Sequence, residues 1–219
     1  EFFISQASLD PITPNNIVVS TATRRGAREG IKPVGAESGT LFIQRAGKAL
    51  REFLFSDVEL SYISNNISLL SSHLLRAPSD MALRKATSTD DGDLLMIVNG
   101  SDGSLATYSI LRGQNVIAPS LSTVDGEFVK VAVDVDQIYF VIKRTINGST
   151  VYYVEAFNDD NTTDSNVLLT GASLPGTTTV TGLSHLEGET VKVIAEDLMQ
   201  SDKVVSSGEI ILDSVPTSY

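Results

Sequence analysis

A mainly β fold is expected for this 219-residue chain, and three observations carry that expectation. Short apolar runs rich in Val, Ile, Phe and Tyr alternate with clusters of Gly, Asn, Asp and Ser, the pattern of strands and turns. Pairs of such runs are joined by tight turns, with Asn147-Gly148 the clearest, since both residues accept positive φ. The turn glycines Gly47, Gly103 and Gly148 recur 56 and 45 residues apart. That recurrence predicts propeller-like or stacked antiparallel β-hairpin sheets, with one short helix and a small C-terminal β domain.

Each element follows in chain order. Residues 1–39 form an N-terminal extended or strand segment. Asp10-Pro11-Ile12-Thr13-Pro14-Asn15-Asn16 is turn material, because Pro fixes φ. Ile17-Val18-Val19 is a short strand, and glycines from Gly26 to Gly39 punctuate a long connection. Residues 40–157 form a domain of repeated, blade-like hairpins. Its first hairpin runs Leu41–Arg45, turn Ala46-Gly47-Lys48, then Ala49–Phe55. The second runs Leu94–Val98, turn Asn99–Gly103, then Ser104–Ile110. Phe128–Val133 alternates as a strand after the Asp125-Gly126 turn. The third hairpin runs Ile138–Ile142, turn Asn147-Gly148, then Val151–Phe157.

One helix is predicted near residues 65–75. Ile63, Ile67, Leu70 and Leu74 fall on one face at helical spacing, Ser64 or Asn65 can cap it, and Pro78 stops it. A second short helix is expected over Met81–Lys85. Residues 158–170 are polar and read as a linker. Residues 171–219 form a small barrel- or sandwich-like β domain: Thr177–Thr181, Glu189–Ala195, Lys203–Ser206 and Glu209–Leu212 are its strands. Four short strands make a marginal core alone, so this domain is expected to pack on something else.

Composition sets the outer bounds. Apolar residues make up 42%, with 16 Gly and 7 Pro, so the chain is neither collagen-like nor low-complexity. No apolar run reaches 18 residues, and no membrane partner is expected. The absence of cysteine excludes disulfides, thiolate metal sites and thiol catalysis. With only His73 and His185, one chain cannot supply a three-histidine metal site. The net charge of −11 is uneven: residues 1–85 carry a net +2 and residues 86–219 a net −13. Such an acidic balance disfavours sequence-independent nucleic-acid binding. One basic cluster stands out, Arg24, Arg25, Arg28 and Lys32, and its expected role is a solvated loop or a contact to an acidic neighbouring chain. The sequence opens at Glu1 rather than Met and shows no signal peptide, so a fragment or processed piece is expected.

Motifs that would carry chemistry are few. No phosphate-binding Gly-rich loop and no Gly-x-Ser-x-Gly elbow occurs. Both histidines are flanked by serines, but His73 sits beside an apolar stripe and His185 lies in a turn; neither is assigned a catalytic role. Acidic clusters occur at Asp90, Asp91 and Asp93, at Asp134 and Asp136, and at Asp159, Asp160 and Asp164. Paired carboxylates serve glycosidases, and clustered loop carboxylates serve calcium, yet none of these follows an EF-hand spacing and solvated loops are the expectation. Asn66, Asn99, Asn147 and Asn161 fit glycosylation sequons; three of them sit at turns or loops, where Asn and Ser are common, and no glycosylation is expected. No catalytic residue, metal site or cofactor is assigned.

Three stretches, in order, resemble one family. The first is Leu41-Phe42-Ile43-Gln44-Arg45-Ala46-Gly47-Lys48-Ala49-Leu50-Arg51-Glu52, followed by Leu70-Ser71-Ser72-His73-Leu74. The second runs from Asp102-Gly103-Ser104-Leu105 through Asp125-Gly126 to Tyr153-Val154-Glu155. The third is Thr181-Gly182-Leu183-Ser184-His185-Leu186-Glu187-Gly188-Glu189-Thr190-Val191, then Val205-Ser206-Ser207-Gly208-Glu209-Ile210. Together they resemble the tail tubular protein B or nozzle-type structural proteins of tailed, mainly short-tailed, bacteriophages. The likeness spans roughly residues 17–213, and family members are much longer.

The resemblance implies a virion structural protein, made in the host bacterial cytoplasm and placed in the phage tail. It implies a tube, nozzle or hub subunit assembling with copies of itself into a ring, beside other tail proteins such as adaptor and fibres. DNA would pass through the lumen without specific binding. The residues it carries over are structural: Gln44, Arg45, Arg51, Glu52, His73, Glu155, His185 and Glu187. No enzyme activity is implied. The alternatives are a tail-associated glycan-degrading enzyme using two of the clustered carboxylates, or a carbohydrate-binding module using Tyr152 or Tyr153.

Overall fold

The structure, a computed structural model, describes residues 1–5, 11–37, 39–88, 91–158, 163–168, 177–195 and 198–214. It is mainly β, with several antiparallel sheets. The chain divides into two compact units, residues 1–143 with 153–159, and residues 144–152 with 160–219.

The first unit is a succession of sheets met in chain order. β1 (Phe2–Ser5) pairs antiparallel with β2 (Val18–Thr21). β3 (Val34–Gly35), β4 (Thr40–Ile43), β5 (Leu50–Ser56) and β6 (Ser61–Asn66) make a four-stranded antiparallel meander. β7 (Pro78–Arg84), β8 (Asp93–Asn99), β9 (Leu105–Leu111) and β10 (Val116–Ser122) make a second. β11 (Glu127–Asp134), β12 (Gln137–Ile146) and β13 (Ser149–Ala156) form a three-stranded sheet. The far end of the β12–β13 pair, residues 144–152, is counted with the second unit.

Period-two alternation explains how these sheets pack. In β8, Leu95 and Ile97 point to one face, where they meet Leu41, Ile43 and Leu50 of the preceding sheet and Ala106, Tyr108 and Ile110 of β9. Met96 and Val98 point to the opposite face and meet Phe128, Val131, Ile138, Phe140 and Ile142 of the following sheet. The β7–β10 sheet is therefore covered on both faces, which is why β8 reads as an unbroken apolar run rather than an alternating one. Each of these large side chains contributes about 1.5–3 kcal/mol by leaving water. Phe128 and Phe140 meet edge to face with centroids 5.0 Å apart. Polar ties reinforce the packing: the Asp80 carboxylate accepts from the Val131 N–H at 3.2 Å, and the Phe128 N–H donates to the Gly103 carbonyl at 2.8 Å. The other face of the β3–β6 sheet carries Phe53 and Tyr62, stacked at 5.1 Å, and Phe3 of β1 lies 4.8 Å from Tyr62.

The helix expected near 65–75 does not form. Ser61–Asn66 is strand β6, and only Ser72–Leu74 makes a single 3-10 turn. Local side-chain hydrogen bonds take the backbone elsewhere. Asn66 Oδ1 accepts from both the N–H and the hydroxyl of Ser68, and the Ser68 hydroxyl accepts from the Leu50 N–H at 2.8 Å. Ser71 reaches the buried Tyr108 hydroxyl at 3.2 Å. Ser and Asn compete with helical hydrogen bonding in this way, and here a long-range partner decides the outcome. The expected helix over Met81–Lys85 is also absent: these residues lie largely in β7. Met81 and Leu83 pack against one core and Ala82 against the other, so pairing with β8 overrides local preference.

In the second unit the strands are nested. β14 (Thr179–Val180) pairs with β19 (Ile210–Ile211), β15 (Thr190–Val191) with β18 (Lys203–Val204), and β16 (Ile194–Ala195) with β17 (Leu198–Met199). The single strand expected over Glu189–Ala195 is thus two short ones, interrupted where the Val193 carbonyl accepts from the Gln200 N–H. Val180, Leu183, Val193, Val205, Ile210 and Leu212 make this unit's own core. Parts of the polar stretch 158–170, and all of residues 171–176, lie outside the described residues.

Candidate interaction surfaces

Several of the residues carried over by the resemblance occupy hydrogen-bonding positions. Gln44 and Arg51 flank the β4–β5 turn: Arg51 Nε donates to Gln44 Oε1 at 2.6 Å and its Nη1 to the Ser64 carbonyl at 2.9 Å. Glu52, on the opposite face of β5, is 2% exposed and pairs with Arg112. Sequence reasoning missed Arg112, because the two lie sixty positions apart and only sheet-on-sheet packing unites them. His73 is exposed in its 3-10 turn, where its carbonyl accepts from Arg76. Glu155 is half-buried on β13. His185 is exposed in the 3-10 turn Ser184–Leu186.

Glu187 clasps a turn. Its two carboxylate oxygens accept from the N–H groups of Ser207 and Gly208, at 2.9 and 2.7 Å. Both residues have positive φ, 57° and 73°, which aims consecutive N–H groups at one acceptor. Such a side chain closes the Ser206–Glu209 turn.

Asn99 is a further buried polar anchor. It is fully buried, donates to the Leu74 carbonyl and the Ser104 hydroxyl at 2.8 and 2.9 Å, and accepts from the Arg76 N–H at 2.8 Å. Beside it, the Arg76 hydrogen bond, with those from Ser104, holds the Asp102 carboxyl below its usual range. Burial pushes the Tyr108 hydroxyl up, against the opposing hydrogen bond from Ser71. An Asn in a sequon-like turn gives no sign that it is a core residue; its partners come from a different stretch of chain.

The acidic clusters are dispersed among separate tasks. Asp91 lies 3.5 Å from Arg84, and Asp93 accepts from the Ala86 N–H. Asp164 pairs with Arg144 at 3.2 Å. Asp134 and Asp136 are exposed on the β11–β12 turn, flanking Val135. Asp90, Asp159, Asp160 and Asn161 lie outside the described residues. Among the described residues, no three His, Asp or Glu side chains converge as a metal site would require. Among the described residues, no helix is long and apolar enough to cross a membrane.

Three surface features remain. An open groove of about 880 Å³ runs between the Asn66–Leu74 segment and β10, lined mainly by Ile67, Leu69, Leu70, Ile117, Pro119 and Leu121. The outward face of β1–β2 exposes Phe2, Ile4 and Val19, each at least half accessible. The β11–β13 sheet likewise exposes Tyr139 and Val154, the latter 74% accessible. The third feature is electrostatic. The Arg24–Lys32 segment folds against the β4–β5 turn: Arg45 N–H donates to the Gly26 carbonyl and Arg28 N–H to the Ile43 carbonyl, both at 2.8 Å. That pairing gathers cations from two separate stretches at one end of the β3–β6 sheet.

No family model matches this chain, and no curated protein matches it.

Proposed function

We propose that this chain is a structural subunit of a bacteriophage tail, of the tube, nozzle or hub type, that assembles with copies of itself around the DNA ejection channel. The consecutive antiparallel sheets are read as blade-like units, and residues 171–219 as a small accessory β domain. The motif order from Leu41 to Ile210 suggests the family. The observation that carries the reading is the pair of apolar sheet faces at Phe2, Ile4 and Val19 and at Tyr139 and Val154. Exposed apolar sheet surface of this kind suits burial against another protein surface. The acidic charge suits a conduit, since a negative wall does not hold a negative polymer. In this reading the other tail proteins are neighbours, no enzyme activity is assigned, and the protein resides in the virion.

The test is assembly. Light scattering after size exclusion, with negative-stain microscopy of the peak, is expected to show closed rings. A monomer at all accessible concentrations would count against the reading. Turnover of capsular or cell-wall glycan, abolished by one Asp or Glu substitution, would favour an enzyme instead.

A further inference from the structure

The two ends of the β3–β6 sheet differ in charge. At one end, around the β4–β5 turn, Arg25, Arg28, Arg45 and Arg51 come together, with Arg24 and Lys48 adjacent to them in the chain. The Arg45 guanidinium lies against Gly26, and that of Arg28 against Gly47. Two of these side chains are held by neutral acceptors: Arg28 Nε donates to the Pro78 carbonyl at 2.8 Å, and Arg51 to Gln44 and the Ser64 carbonyl. Neutral acceptors fix a guanidinium without cancelling its charge. Two carboxylates stand nearby. Glu1 is engaged by the Thr23 hydroxyl and the Arg25 N–H, and Glu29 is exposed in the loop and forms no ion pair among the described residues. Burial, and then the positive charge of Arg25, lower the Arg51 guanidinium below its ordinary range, with Glu1 opposing. The cations outnumber these two carboxylates, so the cluster carries net positive charge in a chain of net −11.

At the other end is the β5–β6 turn, Asp57-Val58-Glu59-Leu60. All four residues are exposed, Val58 at 94% and Leu60 at 79%, with Phe55 beside them at 48%. Neither carboxylate forms an ion pair among the described residues. β5 runs from the basic end to this tip, and its seven residues separate the two by about 20 Å. Within one rigid sheet, then, a cationic surface and an acidic, apolar-tipped protrusion face opposite ways.

We infer that these are the two halves of one heterologous interface, in which the Asp57–Leu60 tip of one copy docks on the Arg24–Arg28 and Arg45–Arg51 surface of the next. This rests on the assembling-subunit reading above and names the surfaces it would use. Complementary charge fixes register and speeds encounter, while Val58, Leu60 and Phe55 supply the apolar area that exposed ion pairs alone do not. A head-to-tail contact of this kind leaves one half free on every terminal copy, so it propagates until a ring closes.

Two charge-reversed variants test it: Arg25→Glu with Arg45→Glu, and Asp57→Lys with Glu59→Lys. Both change exposed side chains, and circular dichroism checks that each remains folded. Sedimentation velocity is expected to show each variant alone at least tenfold weaker in self-association than the parent. Mixing the two is expected to restore association, because the native tip of one variant meets the native basic surface of the other and the introduced lysines meet the introduced glutamates. Association of the parent is expected to fall as NaCl rises from 50 to 500 mM. Rings that ignore both variants would overturn the surfaces while leaving the assembly reading in place; a parent that never associates would overturn both. Loss of assembly with Asp134→Lys and Asp136→Lys, but not with the β5–β6 variant, would overturn the assignment of the tip. A 30-base-pair duplex DNA bound by the parent and not by the Arg25/Arg45 variant, with assembly unchanged, would overturn it in favour of a phosphate-binding surface.

Discussion

Replacing Gly103 by alanine tests whether the β7–β10 and β11–β13 sheets are locked together at the β8–β9 turn. Gly103 has φ of +64°, and a Cβ placed on it would collide with Glu127 Cβ and lie 2.7 Å from Glu127 Cα. The left-handed conformation alone costs an alanine about 1–2 kcal/mol. The clash adds about 1–3 kcal/mol, because the obstructing atoms include backbone and cannot rotate away. Gly30 supplies the control: φ is +81° and nothing lies within 4 Å of the corresponding Cβ. Gly103→Ala is therefore expected to destabilise by about 3 kcal/mol and Gly30→Ala by about 1 kcal/mol. In urea unfolding followed by circular dichroism, the gap of about 2 kcal/mol separates the midpoints by roughly 1 M for a slope near 2 kcal/mol/M. Equal losses in the two variants would refute the argument, since they would mean that Glu127 is not where the packing requires it.

Three further expectations concern buried and charged pairs. Asn99→Ala strands the Arg76 N–H and the Leu74 carbonyl and is expected to cost about 2–4 kcal/mol in thermal or chemical unfolding, whereas Asn65→Ala, at an exposed side chain, is expected to be nearly neutral. Glu52→Ala leaves Arg112 without its carboxylate and is expected to cost about 3 kcal/mol; in a double-mutant cycle with Arg112→Ala, a coupling below about 0.5 kcal/mol would contradict the pairing. The Lys203 hydrogen bond, with those from Ser201, lowers the Asp213 carboxyl from 3.8 to about 2. A depressed carboxylate pKa stabilises the folded state fully above its unfolded value, and that contribution fades as pH falls from about 4 through about 2. NMR titration of the Asp213 side chain is expected to find the low value, and Lys203→Ala to return it toward the ordinary range.

The mainly β character was legible because it rests on local signals. Alternating apolar runs, and glycines at Gly47, Gly103 and Gly148 that take positive φ, need no knowledge of distant contacts. The helical reading of Ile63, Ile67, Leu70 and Leu74 failed for the converse reason. Its spacing was helical, but Leu70 is 94% exposed, and the intervening Asn66, Ser68 and Ser71 bond to β5 and Tyr108. The double-sided burial of β8 was equally hidden, since an apolar run is compatible with a buried helix or a covered strand until its neighbours are known. Among the interaction surfaces, Arg24, Arg25 and Arg28 were visible as a cluster. Their union with Arg45 and Arg51 was not, because it depends on a loop folding back on a turn.

The nested pairing in the second unit has a consequence for how that unit forms. The β16–β17 pair is joined by the shortest connection, so its chain closure costs the least entropy. Once it exists, β15 and β18 are already brought near each other, and their joining then shortens the path for β14 and β19. Order should therefore spread outward from Ile194 and Met199, like a zip drawn from its closed end, and hydrogen exchange during refolding should protect Gln200 before Leu212.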